Sequence, residues 1–285
     1  MVSNPERQGK ILIDKLLERD YDQGGKFIFI SGSQGSGKTS AMLTFLDTVR
    51  KRYPEEKIFF SNTFNAPFQF TRLDEWHLMV QEDSGIKIID RQTHKKADVP
   101  ITYFDDYEDC YAKAKPGVCN AVFFEVRPMF APFIHYLRSV NEWCSVFVDE
   151  LSELAPINPS GKQWHYNKAF SDDIKECRKS QIFIVANSQA RNDIDYRILS
   201  KVMCEIYLPG ATRSRDSKLK KGCIEGLEEN PYLGNHAWIE YNSKFGKIHF
   251  ATIYKPNKKN VFEAVPEVDN PYPDLQRKKR TKPTE

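Results

Sequence analysis

The chain has 285 residues, of which 40% are hydrophobic, 13% aromatic and 28% charged, and this excludes a disordered polymer and leaves ample length for a sizeable core. Its longest apolar runs, Phe27–Ile30 and Ile182–Ala186, are strand-sized, and they fall far short of the roughly 20 residues that span a bilayer. The N-terminus begins polar, so the expectation is a cytoplasmic protein with no signal peptide or transmembrane segment.

The first element reads as a helix. Asn4 can cap it, Pro5 suits its first turn, Ser3 and Glu6 stand at capping-box spacing, and Ile13, Leu16 and Leu17 follow at helical spacing. Gly24-Gly25 ends it. Lys26–Ser31 reads as a buried strand, followed by a glycine-rich turn, a helix over 38–50 and a strand at Lys57–Ser61. Residues 62–116 mix polar turns with aromatic pieces and carry a helix over 107–113. Further on, the pattern predicts strands at 118–126, 145–148, 181–186 and 204–208, and helices at 130–143, 165–179 and 195–201. Strands alternating with helices indicate an α/β fold with a doubly wound, mainly parallel sheet and helices on both faces. Beyond Pro209 come a polar, basic segment, a β-hairpin (strands 237–242 and 247–254, turn near 244–246) and a proline-bearing extended tail. The divisions expected are an N-terminal helix over 1–24 and a core over 25–210, with 62–116 a candidate insertion. A basic loop and hairpin over 211–255 and a tail over 256–285 complete the chain.

Gly32-Ser33-Gln34-Gly35-Ser36-Gly37-Lys38-Thr39 fits G-x-x-x-x-G-K-[ST] in full, between an apolar strand and a helix. Glycines let the backbone approach phosphate closely and turn successive N–H groups inward, and the helix N-terminus adds its positive dipole end. Lys38 is expected to reach the β- and γ-phosphates of ATP and Thr39 to ligate Mg2+. The nucleotide-binding set is Gly32, Ser33, Gln34, Gly35, Ser36, Gly37, Lys38, Thr39 and Ser40.

Val146-Phe147-Val148-Asp149-Glu150 reads as a strand ending in two carboxylates. Asp149 is expected to hold Mg2+ through water and Glu150 to polarise the attacking water as general base. A kinase for a small substrate has no need of the second carboxylate in that role; a hydrolase does. The strand at 181–186 runs into Asn187-Ser188-Gln189, where Gln189 could orient water beside the γ-phosphate; the rival reading is a simple polar turn. Arg178 closes a helix. It either complements the dipole or serves as an arginine finger in a neighbouring subunit.

The order GSQGSGKT, FVDE and ECRKSQIFIVANSQ resembles the FtsK–HerA superfamily of P-loop ATPases, which are ring-forming DNA motors with a RecA-like P-loop NTPase fold. Within it, the pattern is most similar to viral genome-packaging ATPases and the Zot-type branch. Supporting pieces are Ile58-Phe59-Phe60-Ser61-Asn62, the helix ending Arg178-Lys179, and Asp193-Ile194-Asp195-Tyr196-Arg197-Ile198. The resemblance covers about 25–210. It implies a homo-hexameric ring with ATP sites between subunits, Gln189 as sensor, Arg178 as the finger acting in trans, and double-stranded DNA as partner. A viral capsid or membrane protein is a further candidate partner. The expected function is an ATP-hydrolysing, DNA-translocating motor for genome packaging, in the host cytoplasm if viral. The alternative is a Zot-like assembly or secretion ATPase working at a membrane through a partner; a small-molecule kinase and a nucleotide-gated switch are further rivals.

Net charge is +3. Residues 271–285 hold five basic residues (Arg277, Lys278, Lys279, Arg280 and Lys282) against two acids, which accounts for all of it. The body is therefore neutral, and a grip on DNA must come from local clusters. The best candidate is Arg213, Arg215, Lys218, Lys220 and Lys221, read as a flexible pore loop or as a solvated surface loop. Trp76, Trp143, Trp164 and Trp238 are expected in core or interface. The six cysteines form no CxxC pair, so zinc and a disulfide framework are not expected.

Overall fold

The computed structural model describes residues 4–61, 68–69, 76–90, 93–125, 127–227, 235–250 and 261–266. In chain order the elements are α1 (Pro5–Leu17), β1 (Lys26–Ser31), α2 (Lys38–Arg52), β2 (Lys57–Ser61), β3 (Phe68–Gln69), β4 (Trp76–Gln81), β5 (Ile86–Asp90) and β6 (Ile101–Phe104). There follow α3 (Tyr107–Lys113), β7 (Cys119–Phe123), α4 (Phe130–Val140), β8 (Cys144–Val148), α5 (Leu151–Leu154), α6 (Gly161–Glu176) and β9 (Ile182–Ser188). The last are α7 (Tyr196–Leu199), β10 (Cys204–Tyr207), α8 (Lys221–Glu225), β11 (Asn235–Tyr241), β12 (Lys244–Phe250) and β13 (Val261–Pro266).

Ten strands form one sheet in the order β12-β11-β10-β1-β9-β8-β2-β7-β4-β6. From β10 to β6 every pairing is parallel; at the other edge β11 runs antiparallel to both of its neighbours, β10 and β12. A parallel sheet must be covered on both faces, and β1 shows how its sequence meets that demand. Alternate residues point to opposite sides, so Ile28 and Ile30 join the core beneath α1 and α2, while Phe27 and Phe29 join the core beneath α4 and α6. The continuous apolar run KFIFIS follows from this double burial.

Helix α1 begins as expected: the Asn4 side chain accepts from the Glu6 N–H at 2.9 Å, and Pro5 opens the first turn. Its far end is capped by buried Lys26, whose Nζ donates to the carbonyls of Lys15 (2.7 Å) and Glu18 (3.0 Å). Just beyond, Arg19 enters the base of the sheet and pairs with Glu56 (Nε to Oε2, 2.9 Å; Nη2 to Oε1, 3.0 Å). Both side chains are buried, Ser145 completes the cluster, and the guanidinium lies over the rings of Tyr53 and Phe183. This pins α1 to β8 and to the turn before β2.

Several boundaries differ from expectation for physical reasons. The hairpin turns at Asn242-Ser243, both left-handed (φ 51° and 58°), as a two-residue hairpin connection requires. Gly246, which suggested a later turn, instead lies in β12 against Gly9 of α1, where a side chain on either glycine would collide with backbone. The 62–116 region supplies β4 and β6 to the main sheet, and β3 and β5 to a second sheet of three strands. The centre of that second sheet is β13, antiparallel to both neighbours, a strand inside the region read as an extended tail. The strand before the polar Asn187-Ser188-Gln189 cluster runs on to Ser188.

Asn62, Ser3 and the basic tail residues Arg277–Lys282 lie outside the described residues. The six cysteines are free and five of them are buried. No helix among the described residues is long and apolar enough to cross a membrane.

Candidate active site

The strand order sets the site. β9 lies between β1 and β8, with Ser31 opposite Ser188 and Val148 opposite Ala186. The C-terminal ends of all three strands therefore open onto one edge, where ligands of open parallel sheets bind. A cleft of about 490 Å³ lies there, lined by Gln34, Gly35, Gly37, Lys38, Thr39, Ser40, Asp149, Glu150, Glu153, Asn187 and Gln189. A more apolar groove of about 510 Å³ between α1, α2 and the hairpin is remote from these groups.

Helix α2 starts at the cleft with Gly37 as its N-cap, no side-chain cap and no acidic residue in its first turn. Its free N–H groups and dipole are left to attract an anion. The last turn carries Arg50, Lys51 and Arg52, which match the opposite end of the dipole. Lys38 is mostly buried and donates to the carbonyls of Gly32 (3.0 Å) and Ser33 (2.6 Å), so the loop itself orients the ammonium. Burial pulls its pKa below the ordinary lysine value, against the opposing influence of Glu150 and Asp149. Ser33 and Ser36 stand behind the cleft lining, with Ser36 fully buried.

The two carboxylates have separate supports. Asp149 Oδ1 accepts from Thr39 Oγ1 (3.3 Å) and from Asn187 Nδ2 (2.7 Å). Thr39 and Asp149 thus present hard oxygens side by side, the donor type Mg2+ takes when phosphates and water complete its shell. Among the described residues no group of three or more His, Cys, Asp or Glu side chains could hold a metal, and a phosphate-bound Mg2+ needs none. Glu150 sits in the left-handed region (φ 53°), which is strained for a non-glycine residue. Its N–H donates to Asn187 Oδ1 (3.1 Å), and its Oε1 accepts from the hydroxyls of Ser152 (2.6 Å) and Ser188. The strain turns the backbone out of β8 and into α5, and the hydroxyls fix where the carboxylate points.

Sequence reasoning singled out Gln189, which does line the cleft. It passed over Asn187 and Ser188, which touch the two carboxylates directly. Both continue β9 and are buried with the rest of it, and no local sequence signal marks them as partners of the carboxylates at the end of β8. Arg178 is not at this cleft. It lies in the turn Cys177–Lys179 before β9, at the opposite end of that strand, roughly 20 Å away along it. Arg213, Arg215, Lys218, Lys220 and Lys221 are all exposed. Their segment is more fixed than a flexible loop: Arg213 donates to the Leu219 carbonyl (2.8 Å), Glu240 of β11 accepts from the Lys218 N–H (2.9 Å), and Lys221 pairs with Glu225 within α8 (3.0 Å). Trp143 stacks on Arg19 and Trp238 packs beside Leu219 and Ile224, whereas Trp164 is 40% exposed.

This fold and cleft define a P-loop NTPase. The structure is similar to that of the genome packaging NTPase B204 from Sulfolobus turreted icosahedral virus 2 in complex with AMPPCP, with a TM-score of 0.51 and 12% identity over 82% of this chain and 98% of that one. Solved structures with lower scores include the N-terminal domain of zonular occludens toxin from Neisseria meningitidis (TM-score 0.41, 12% identity, 83% and 96% covered). The pCW3 conjugation coupling protein TcpA in its monomer form scores 0.47 at 12% identity, with 84% and 68% covered. No protein-family model and no curated protein matches the sequence. The fold found is the P-loop NTPase fold expected from the sequence.

Proposed function

We propose that the protein is an ATP-hydrolysing motor that moves double-stranded DNA, with viral genome packaging as its role. The observation that carries hydrolysis is Glu150, held by Ser152 and Ser188 at the same cleft as Lys38, Thr39 and Asp149. Lys38 and the α2 N-terminus would neutralise the phosphates. Thr39 and Asp149 would hold Mg2+, which supplies charge stabilisation at the γ-phosphoryl group. Glu150 would take the proton of the attacking water, with Gln189 orienting that water. The neighbouring B204 is, by its name, a genome packaging NTPase, which supports the packaging role.

The basic segment 213–221 is the DNA contact in this reading, its exposed charges following the sheet edge that bears the cleft. Self-assembly draws support from Ile157, Trp164 and Tyr196, which are 48%, 40% and 71% exposed and follow the same ends of β8 and β9. Arg178, far from its own cleft, is assigned to a neighbour's. The test is ATP hydrolysis with and without duplex DNA, alongside the native mass. Hydrolysis stimulated by DNA, a ring-sized particle, and loss of turnover in Lys38→Ala and Glu150→Gln are expected. A monomer indifferent to DNA would overturn the proposal.

A further inference from the structure

Two sets of contacts lead from the walls of the cleft to the basic segment. On the phosphate-loop side, the Ser33 N–H donates to the Pro209 carbonyl at 2.9 Å, and the Ser33 hydroxyl reaches the same oxygen at 3.3 Å. Gly210 follows in the left-handed region (φ 73°), so close that a side chain there would lie 2.6 Å from Ser33 Cβ. The chain therefore enters the basic segment in contact with the phosphate loop.

On the other wall, β9 ends at Ser188, Gln189 lines the cleft, and Arg191 opens the turn Arg191–Asp193. Arg191 turns inward. Its Nη1 lies 2.9 Å from Glu205 Oε2 on β10, and its Nη2 donates to Ser214 Oγ at 3.3 Å. Ser214 is only 7% exposed, yet its neighbours Arg213 and Arg215 are both exposed. Ser214 is thus the point where the segment is pinned inward, and the two arginines are the charges its position directs outward. A guanidinium can hold both partners at once because its donors are fixed in a planar fork.

We propose that Arg191 is a positioning residue that couples the nucleotide cleft to the DNA-contacting segment through Ser214. The inference rests on the proposed DNA-motor reading. A shift of the Gln189 wall with nucleotide state is carried two residues along the chain to Arg191, and from its fork to Ser214, Arg213 and Arg215. The ligand at the far end is the phosphate backbone of a duplex. Coupling of this kind is reciprocal: if nucleotide changes duplex affinity by some factor, duplex changes nucleotide affinity by the same factor.

The test measures binding of the full chain to a short labelled mixed-sequence duplex at fixed salt, with a non-hydrolysable ATP analogue and with ADP. Wild type is expected to show duplex affinities differing by about 5-fold or more between the two nucleotides, the low end of typical coupling. Ser214→Ala removes one end of the link and leaves the Arg191–Glu205 pair. Arg191→Lys keeps the charge but loses the fork. In both, the ratio should fall towards one while melting temperature and DNA-free hydrolysis stay near wild type. The duplex should then no longer alter affinity for the analogue. Variants that fold normally and keep the wild-type ratio would overturn the inference. A wild type that binds duplex equally with either nucleotide would overturn it too, leaving the DNA reading intact. A wild type that binds no duplex would remove both.

Discussion

Replacing Ser188 by Ala should slow hydrolysis without weakening ATP binding. Glu150 Oε1 accepts from two hydroxyls, Ser152 at 2.6 Å and Ser188, and the substitution deletes one of them. A hydrogen bond to a charged acceptor contributes about 1.5–3 kcal/mol. At about 1.4 kcal/mol per tenfold, the full bond corresponds to roughly 10- to 150-fold in rate. Ser152 still restrains the carboxylate, so the low end applies, and kcat should fall by about 10-fold. Asn187, Lys38 and Thr39 are untouched, so the affinity for ATP should hold. The assay is steady-state phosphate release with a separate equilibrium measurement of nucleotide binding. Glu150→Gln provides the reference, with an expected loss of about 10²–10⁴-fold for a missing general base. If Ser188 acts only through Glu150, adding Ser188→Ala to Glu150→Gln should change nothing further. An unchanged kcat in Ser188→Ala, or a further loss in the double variant, would refute the clamp.

Glu56→Gln should leave the Arg19 guanidinium buried without its counter-charge and cost about 3–5 kcal/mol of stability, read as a lower denaturation midpoint; a midpoint equal to wild type would show that α1 is not held by this pair. His77 is buried between Asn120 Oδ1 (2.9 Å) and Thr102 Oγ1 (2.7 Å), and burial pulls its pKa below the ordinary 6.5. The unfolded chain then binds the proton more readily, so this site favours the fold above pH 6.5 and loses that contribution as pH falls through 6.5 towards its folded value; His77→Gln should flatten the stability profile there, and an identical profile would contradict it. Changing Arg213, Arg215 and Lys218 to Ala should weaken duplex binding and reduce the salt dependence by about 0.9 in slope per lost phosphate contact; an unchanged slope would place the DNA contact elsewhere.

The site was legible where chemistry dictates residue type locally. The phosphate-loop motif runs as glycines, lysine and threonine in a fixed order, and the strand ending in Asp149-Glu150 announces two adjacent carboxylates, which the fold places at the same cleft. Strand β1 was equally plain, because burial on both faces makes KFIFIS continuous. What the sequence hid depends on partners distant along the chain. Nothing local shows that Asn187 meets Asp149 or that Ser188 meets Glu150, since those contacts exist only because β9 lies beside β8. Glu56, Arg19 and Ser145 likewise read as an unremarkable acid, base and hydroxyl until the fold buries them together. β13 was missed because its partners, β3 and β5, lie some 170–190 residues earlier. The charge run at 213–221 suggested a free loop, but Glu240 and Arg191 bind it from elements that no local pattern connects to it.

In the proposed motor, ATP hydrolysis at the Lys38–Glu150 cleft drives movement along duplex DNA. Its most direct test is displacement of a labelled third strand from a linear duplex, with Glu150→Gln as control. The wild-type chain with ATP should displace that strand, and neither a non-hydrolysable analogue nor Glu150→Gln should. Hydrolysis of ATP in the presence of the duplex with the third strand left in place would contradict the motor reading.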